Sequence, residues 1–90
     1  MRVKFFAYLR DYTGCSETDA PDVPTMGELA RILCDRYGAK LREKMLTASG
    51  ELGPEIIIMI NGRHIAHLGG LDAPLMSEDT VQIFPMVAGG

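Results

Sequence analysis

A run of five apolar residues, Ile56–Ile60, is followed at once by Asn61-Gly62. Asn-Gly is typical of two-residue hairpin turns, because both residues readily adopt the positive φ that such turns need. The run is apolar at odd and even positions alike, which predicts a strand that is either covered on both faces or pressed against a partner. Residues 63–67 are then predicted to return as the second strand of the hairpin. The chain must therefore build a sheet around this hairpin.

Two more segments alternate in hydrophobicity and predict strands. Residues 2–8 (RVKFFAY) lie at the start, and residues 81–85 (VQIFP) lie near the end. In the second segment, Gln82 and Phe84 are predicted to lie on the face opposite to Val81, Ile83 and Pro85. Residues 16–22 are polar and contain a proline, so they predict at most a short edge strand that pairs with the first as a hairpin.

One helix is well marked between these strands. Thr25 followed by Glu28 forms a capping-box pattern, and Gly38 is a typical C-terminal stop. Between them, apolar residues recur at helical spacing: Leu29, Ile32, Leu33 and Cys34. Residues 39–55 are predicted to begin as a second short helical turn and to continue as a loop rich in glycine. Whether that segment adds a contact or only lengthens a loop is open.

The order strand, short strand, helix, loop, hairpin and final strand predicts an α+β fold. We expect a β-grasp roll like that of ubiquitin, with a mixed sheet of four to five strands and one main helix packed across it. The last strand is expected at the centre, beside the first and parallel to it, because the helix provides the crossover. Residues 1–85 are the predicted domain, and residues 86–90 are a predicted flexible tail that ends in Gly-Gly.

Composition narrows the class of protein. The 90 residues are 47% hydrophobic and 23% charged, which is typical of one globular domain and excludes a disordered chain. A longest apolar run of five residues is far short of a membrane span, and the start does not resemble a secretory signal, so we expect a cytoplasmic protein. Arg63 is the only lysine or arginine in residues 45–90, which hold five acidic residues. Nucleic acid is therefore an unfavourable partner.

The usual catalytic and metal-binding patterns are weak. His64 and His67 would share a face on a helix but not on the predicted strand, so no metal site is predicted. Cys34 falls in the apolar stripe of the helix and is expected in the core, whereas Cys15 lies in a turn. A catalytic Cys15 is disfavoured because no basic neighbour in the sequence lowers its pKa. Gly69-Gly70 lacks the context of a phosphate loop. We therefore predict no autonomous active site.

The chemistry of the C-terminus offers an alternative. The last six residues are PMVAGG, and a pair of glycines lets the backbone enter a narrow cleft and leaves the carbonyl carbon of Gly90 unhindered. Residues 86–90 reach at most about 17 Å when extended, which is enough to thread from a docked domain into such a cleft. An ionised carboxylate is a poor electrophile, so it must first be activated, for instance as an acyl-adenylate. The opposing interpretation is an idle, frayed end.

Four stretches, MRVKFFAYLRDYTG, VPTMGELARIL, INGRHI and LDAPLMSEDTVQIFPMVAGG, together resemble the MoaD/ThiS family of sulfur-carrier proteins. The similarity is to its branch of molybdopterin synthase small subunits. This resemblance implies a ubiquitin-like protein that binds no cofactor and whose Gly90 is adenylated by a ubiquitin-activating-like adenylyltransferase using ATP. The product would be a thiocarboxylate that donates sulfur to molybdopterin, of the molybdenum or tungsten cofactor, in a complex with the large subunit of the synthase.

Residue by residue, the resemblance implies that Gly90 carries the sulfur and that the small size of Gly89 permits threading. It also implies a stretch that docks on both partners: Phe84, Pro85, Met86, Val87 and Ala88. Phe84 is either an exposed anchor or part of the protein's own core. The turn at residues 77–79 and Met86, which replaces a common second proline, depart from the family's pattern.

Three alternatives remain open at this point. The chain could be a ubiquitin-like modifier joined through Gly90 to lysines of other proteins. It could carry sulfur for thiamine or another pathway. It could also be an interaction domain whose terminal glycines have no role.

Overall fold

The protein, seen in a computed structural model, is described over residues 1–86; the predictions made for residues 87–90 lie outside the described residues. Its elements follow in the order β1 (Arg2–Phe5), α1 (Leu9–Thr13), β2 (Glu17–Asp19), α2 (Met26–Tyr37), α3 (Ala39–Met45), β3 (Ile56–Ile60), β4 (Arg63–His64) and β5 (Thr80–Pro85). Two 3-10 turns, Ile65–His67 and Gly70–Asp72, separate β4 from β5.

The strands form one mixed sheet in the order β2-β1-β5-β3-β4. β5 lies at its centre, parallel to β1 and antiparallel to β3, with Ile83 opposite both Phe5 and Ile58. A parallel pair needs a crossover connection, which the segment containing α2 supplies. The predicted central and parallel position of the last strand is therefore confirmed.

Helix α2 has the predicted ends. The hydroxyl oxygen of Thr25 accepts a hydrogen bond from the backbone N–H of Glu28 at 3.3 Å, and the N–H of Gly38 donates to the carbonyl of Cys34. These bonds satisfy groups that a helix end leaves unpaired. The face turned to the core carries Met26, Leu29, Ala30, Leu33 and Cys34. Ile32, which the spacing placed in the apolar stripe, is only half-buried.

The sheet has two unlike faces. The inner face shares one core with α2 and α3 and consists of residues no more than 5% exposed: Val3, Phe5, Ile56, Ile58, Ile60, Val81 and Ile83. The alternate residues form the outer face and are half-buried: Lys4, Ile57, Met59, Gln82 and Phe84. Alternation is the rule in a strand, because successive side chains point to opposite sides.

The first strand is shorter than predicted. It ends at Phe5 rather than at residue 8, because Ala7 adopts φ 53 and turns the chain away from the sheet. Such a left-handed conformation is uncommon for alanine, and a propensity argument gives no sign of it. The turn starts α1 and places Leu9 in the core with no exposed surface.

The hairpin after β3 is confirmed in its turn but not in its second strand. Asn61 and Gly62 adopt φ 52 and 82, as the Asn-Gly pair predicts. The predicted strand over residues 63–67 is wrong after His64, where the chain enters a 3-10 turn. The ring atom Nδ1 of His64 accepts a hydrogen bond from the N–H of Ala66 at 3.0 Å and so caps that turn. The turn brings Ile65 into the core.

Residues 39–55 do more than lengthen a loop. Their first part is the seven-residue helix α3, and its Leu41 and Met45 have no exposed surface. The following loop is held by a bridge between Leu46 and Leu52. This segment therefore contributes to the core and packs beside the end of β5.

Candidate functional site

The C-terminal tail starts from the middle of the sheet. Pro85, the last residue of β5, lies opposite Ile56. Beyond it, the backbone N–H of Met86 donates to the carbonyl of Glu55 at 2.6 Å, and Met86 is 52% exposed. β1 pairs with β5 only as far as Ile83, so the point where the tail begins is held from the β3 side, by Ile56 and Glu55.

Phe84 does not belong to the core. It lies on the outer face, where its ring stacks on that of Phe6 with centroids 4.2 Å apart and an interplanar angle of 14°. Its neighbour Pro85 is buried on the other side. Within the described part of the predicted docking stretch, Phe84 and Met86 therefore reach the surface, whereas Pro85 packs inside.

Phe84 is part of a wider apolar surface, the outer patch, which consists of Phe6, Ile57, Met59 and Phe84. Ile57 lies directly opposite Phe84 in the pairing of β3 with β5. All four side chains are half-buried and so keep part of their surface accessible. Aromatic residues and methionine are enriched in protein interfaces, which makes this face a candidate docking surface.

Sequence reasoning did not assign Phe6, Ile57 or Met59 to the site. The signal was present in Ile56–Ile60, which is apolar on both alternations. Such a strand was expected to be covered on both sides or pressed against a partner, and its outer residues remain partly open in the structure. The partly open outer residues fit the second alternative, a strand that contacts a partner.

Polar groups flank the outer patch. Gln82 lies between Lys4 and Met59 in the pairing of β1, β5 and β3. Its carboxamide oxygen is buried and has no hydrogen-bond partner among the described residues. Arg2, two positions before Lys4 on β1, is paired with Glu17 on β2. The patch thus combines an apolar centre with a polar margin, as protein interfaces do.

The two histidines are closer together than a strand would place them. The 3-10 turn brings the rings of His64 and His67 to a centroid distance of 6.3 Å, which corrects the prediction that they point in opposite directions. However, Nδ1 of His64 is engaged by Ala66. Over residues 1–86 no group of three or more His, Cys, Asp or Glu side chains is arranged to hold a metal ion.

The two thiols have different surroundings. Cys34 has no exposed surface, which confirms its predicted place in the core, and burial raises the pKa of its thiol. Cys15 is half-buried, with its Sγ 3.5 Å from the hydroxyl oxygen of Tyr37. A raised pKa keeps Cys34 protonated and hence a poor nucleophile at neutral pH.

Within residues 1–86, no helix has both the length and the apolar character that crossing a membrane requires.

A mixed five-stranded sheet with β1 and β5 parallel at its centre, crossed by one main helix, defines a ubiquitin-like β-grasp protein. The profile of the ThiS family matches residues 3–90, and the chain belongs to that family.

Two curated relatives are similar over most of their length. A protein of Archaeoglobus fulgidus, provisionally described as a sulfur carrier, is 42% identical over 77 residues, which cover 86% of this chain and 85% of the relative. Small archaeal modifier protein 3 of Haloferax volcanii is 33% identical over 92 residues, covering 100% of this chain and 98% of the relative. The chain is thus related to sulfur carriers and to ubiquitin-like modifiers.

Among solved structures, a chain of the Amycolatopsis orientalis BexX/CysO complex superposes with a TM-score of 0.83 at 28% identity. The match covers 99% of this chain and 98% of that one. The sequence resemblance to the MoaD/ThiS family and the predicted β-grasp fold are therefore both confirmed.

Proposed function

We propose that this protein is a sulfur carrier for molybdopterin biosynthesis, serving the molybdenum or tungsten cofactor. Its reactive group is the α-carboxylate of Gly90, which is adenylated and then converted to a thiocarboxylate. The observation that carries the proposal is the position of the tail: β5 is the central strand, and the chain leaves it through Met86 beside the outer patch. A partner docked on the patch can therefore receive the last four residues.

The chemistry needs activation by a second protein. The carboxylate of Gly90 attacks the α-phosphate of ATP and releases pyrophosphate, which gives an acyl-adenylate. Hydrosulfide can then displace AMP and give the thiocarboxylate directly. If the donor is a persulfide, its terminal sulfur displaces AMP to form an acyl disulfide, which a thiol cleaves to the thiocarboxylate while the donor sulfur and the thiol form a disulfide. Donation of that sulfur to the pterin dithiolene, with water as the oxygen source, restores the carboxylate. Glycine at positions 89 and 90 suits these steps because it exposes the carbonyl carbon to attack.

The partners follow from that sequence of steps. A ubiquitin-activating-like adenylyltransferase binds ATP and the tail, and the large subunit of molybdopterin synthase receives the sulfur. Phe84 and Met86 supply contacts on the globule, while Val87 and Ala88 supply them along the tail. A relative solved in a complex with another protein supports partner docking in this fold. We place the protein in the cytoplasm, without nucleic acid or membrane as a partner and without a cofactor of its own.

A second candidate function is protein modification. The relative from Haloferax volcanii is named a modifier, and joining Gly90 to a lysine amine would use the same activated carboxylate. The same activated Gly90 can react with a sulfur donor or with a lysine amine, so the two functions differ in the nucleophile that Gly90 meets. Sulfur transfer to thiamine or to another pathway would again differ only in the acceptor.

The test is intact-mass analysis after incubation with ATP, the activating enzyme and a sulfur donor. Replacement of one oxygen by sulfur on Gly90 adds about 16 Da, whereas conjugation produces larger adducts on other proteins. Transfer from the thiocarboxylate to a pterin precursor in the presence of the large synthase subunit tests the molybdopterin assignment. Gly90→Ala is expected to abolish the mass gain and leave the melting temperature unchanged. Unchanged sulfur loading of that variant would refute the role of Gly90.

A further inference from the structure

The start of the tail is hydrogen-bonded to the loop that precedes β3. Met86 donates its N–H to the carbonyl oxygen of Glu55. Glu55 directly precedes β3, whose pairing with β5 ends at Ile56 opposite Pro85. The position of the Glu55 carbonyl thus determines where Met86 is held, and Met86 is the residue from which the last four residues continue.

Gly53 fixes this loop against the end of α3. Its backbone N–H donates to the carbonyl of Met45 at 2.8 Å, and its own carbonyl accepts from Ile56. A Cβ at position 53 would lie 1.8 Å from the carbonyl oxygen of Lys44. Real Cβ atoms do not approach a backbone atom so closely, so only glycine permits this contact. The loop is thereby clamped to the helix two residues before Glu55.

Lys44 also holds this loop through its side chain. Its ammonium Nζ donates to a carboxylate oxygen of Glu55 at 3.1 Å and lies 5.9 Å from the ring centroid of Tyr8. The hydrogen bond to Glu55 raises the pKa of Lys44, so the ammonium group stays protonated at neutral pH. A cleft of about 290 Å³ opens at this point, lined by Glu43, Lys44, Pro54 and Glu55.

We propose that Lys44 and Gly53 are positioning residues for the activation of Gly90. Together with Met45 and Glu55 they form a tail clamp that fixes the direction in which Met86 leaves the sheet. The clamp acts through the backbone of Glu55 and contains none of the four residues of the outer patch. This inference rests on the proposed function, and it assigns a role to the 39–55 segment beyond its contribution to the core.

The reason that direction matters is the geometry of the first step. The carboxylate must meet the α-phosphate of ATP in line, and a misplacement of about 1 Å can slow a reaction about 100-fold. The carboxylate of Gly90 reaches this position less often when the point from which the last four residues start is displaced. Loosening the clamp should therefore lower kcat for adenylation, while docking through the outer patch leaves KM unchanged.

The mild test is Lys44→Met, which removes the charge and keeps an aliphatic side chain near Tyr8. An exposed ion pair contributes at most about a fivefold change in a local equilibrium, so we expect a two- to fivefold fall in kcat. Lys44→Arg should restore kcat, because guanidinium can pair with Glu55. Arg42→Met is the matched control, since Arg42 also lies on α3 and pairs with an exposed carboxylate, that of Asp35, away from the tail.

The stronger test is Gly53→Ala, which must push the loop away from Lys44. We expect kcat to fall at least tenfold. Gly50→Ala is its control within the same loop, because φ +84 strains that variant although its Cβ would meet no atom within 4 Å. Circular dichroism and urea denaturation identify any variant that fails to fold, in which case the lysine series decides.

Hydrogen exchange of the Met86 amide provides a readout independent of sulfur chemistry. Lys44→Met should accelerate it two- to fivefold, and Arg42→Met should not. If exchange and kcat both stay at the wild-type values in Lys44→Met and Gly53→Ala, the clamp is refuted. A fall in kcat without faster exchange would also refute it, because Lys44 would then contact the enzyme directly. If Met86 exchanges faster in Lys44→Met but the wild-type protein is never adenylated, the result would support the clamp and refute the proposed function.

Discussion

Truncation of Phe84 tests whether the outer patch is a docking surface. Complete burial makes a Phe→Ala change cost about 3–5 kcal/mol of folding stability. Phe84 keeps part of its surface exposed, and alanine at this position would remove both the stacking on Phe6 at 4.2 Å and the partial burial of the ring. We expect each to contribute about 1 kcal/mol, so Phe84→Ala should lower the free energy of unfolding by about 2 kcal/mol. A domain of this size should then melt roughly 8–16 °C lower, and remain folded at 25 °C.

The expected effect on binding is separate from the loss of stability, because the variant remains folded at 25 °C. An aromatic anchor near the centre of an interface contributes about 2 kcal/mol or more, which corresponds to a roughly 30-fold rise in Kd. Isothermal titration calorimetry with the adenylyltransferase at 25 °C measures that change directly. Because the tail is untouched, kcat at saturating carrier concentration should stay within twofold of the wild-type value.

Ile83→Val is the control for reduced stability. Ile83 is the neighbour of Phe84 on β5, has no exposed surface and faces the inner side. Its truncation should cost about 1 kcal/mol of folding stability without changing the outer patch. An unchanged Kd for Phe84→Ala, or an equal loss of affinity in Ile83→Val, would show that the patch is not the docking surface.

Other residues give further tests. Asn61→Ala should lower the free energy of unfolding by about 2 kcal/mol in urea titrations, because alanine is strained at φ 52 and the side-chain bonds to Asp79 and to the N–H of Thr80 are lost. Asn61→Gly should recover the part that is due to backbone strain. Equal stability of the two variants would contradict this reasoning. In thiol labelling of the folded protein at pH 8, Cys15 should react and Cys34 should not; equal rates would contradict the burial argument. Burial raises the pKa of the Cys34 thiol in the folded state, so its contribution to stability is complete below the pKa of the unfolded state and is lost as pH rises through the folded pKa. Cys34→Ala should therefore weaken the loss of stability above about pH 9. An unchanged alkaline slope of the unfolding free energy would contradict this prediction.

Much of the fold could be predicted because its strongest signals are local. The cap at Thr25, the stop at Gly38 and the turn at Asn61-Gly62 each depend on a few neighbouring residues, and all three are present in the structure. The central place of β5 also followed, because connection rules leave few arrangements for this order of elements. The local sequence signals and the connection rules thus predicted the same fold.

The strand predictions for residues 2–8 and 63–67 were partly wrong because tertiary contacts override the local pattern there. Residues 2–8 alternate like one strand, yet Ala7 accepts a positive φ so that Leu9 can enter the core. Residues 63–67 resemble a returning strand, yet burying Ile65 favours a 3-10 turn capped by His64. In both cases the burial of a large apolar side chain outweighs the strand propensity of the segment.

The candidate site shows the same division. The terminal glycines, the chemistry they permit and the apolar character of Ile56–Ile60 can be read from residue type and order alone. The stacking of Phe84 on Phe6 beside Ile57, and the bond from Met86 to Glu55 next to the end of α3, appear only once the chain is folded. Strand pairing and loop packing join residues that are far apart in the chain, and their register depends on the whole core.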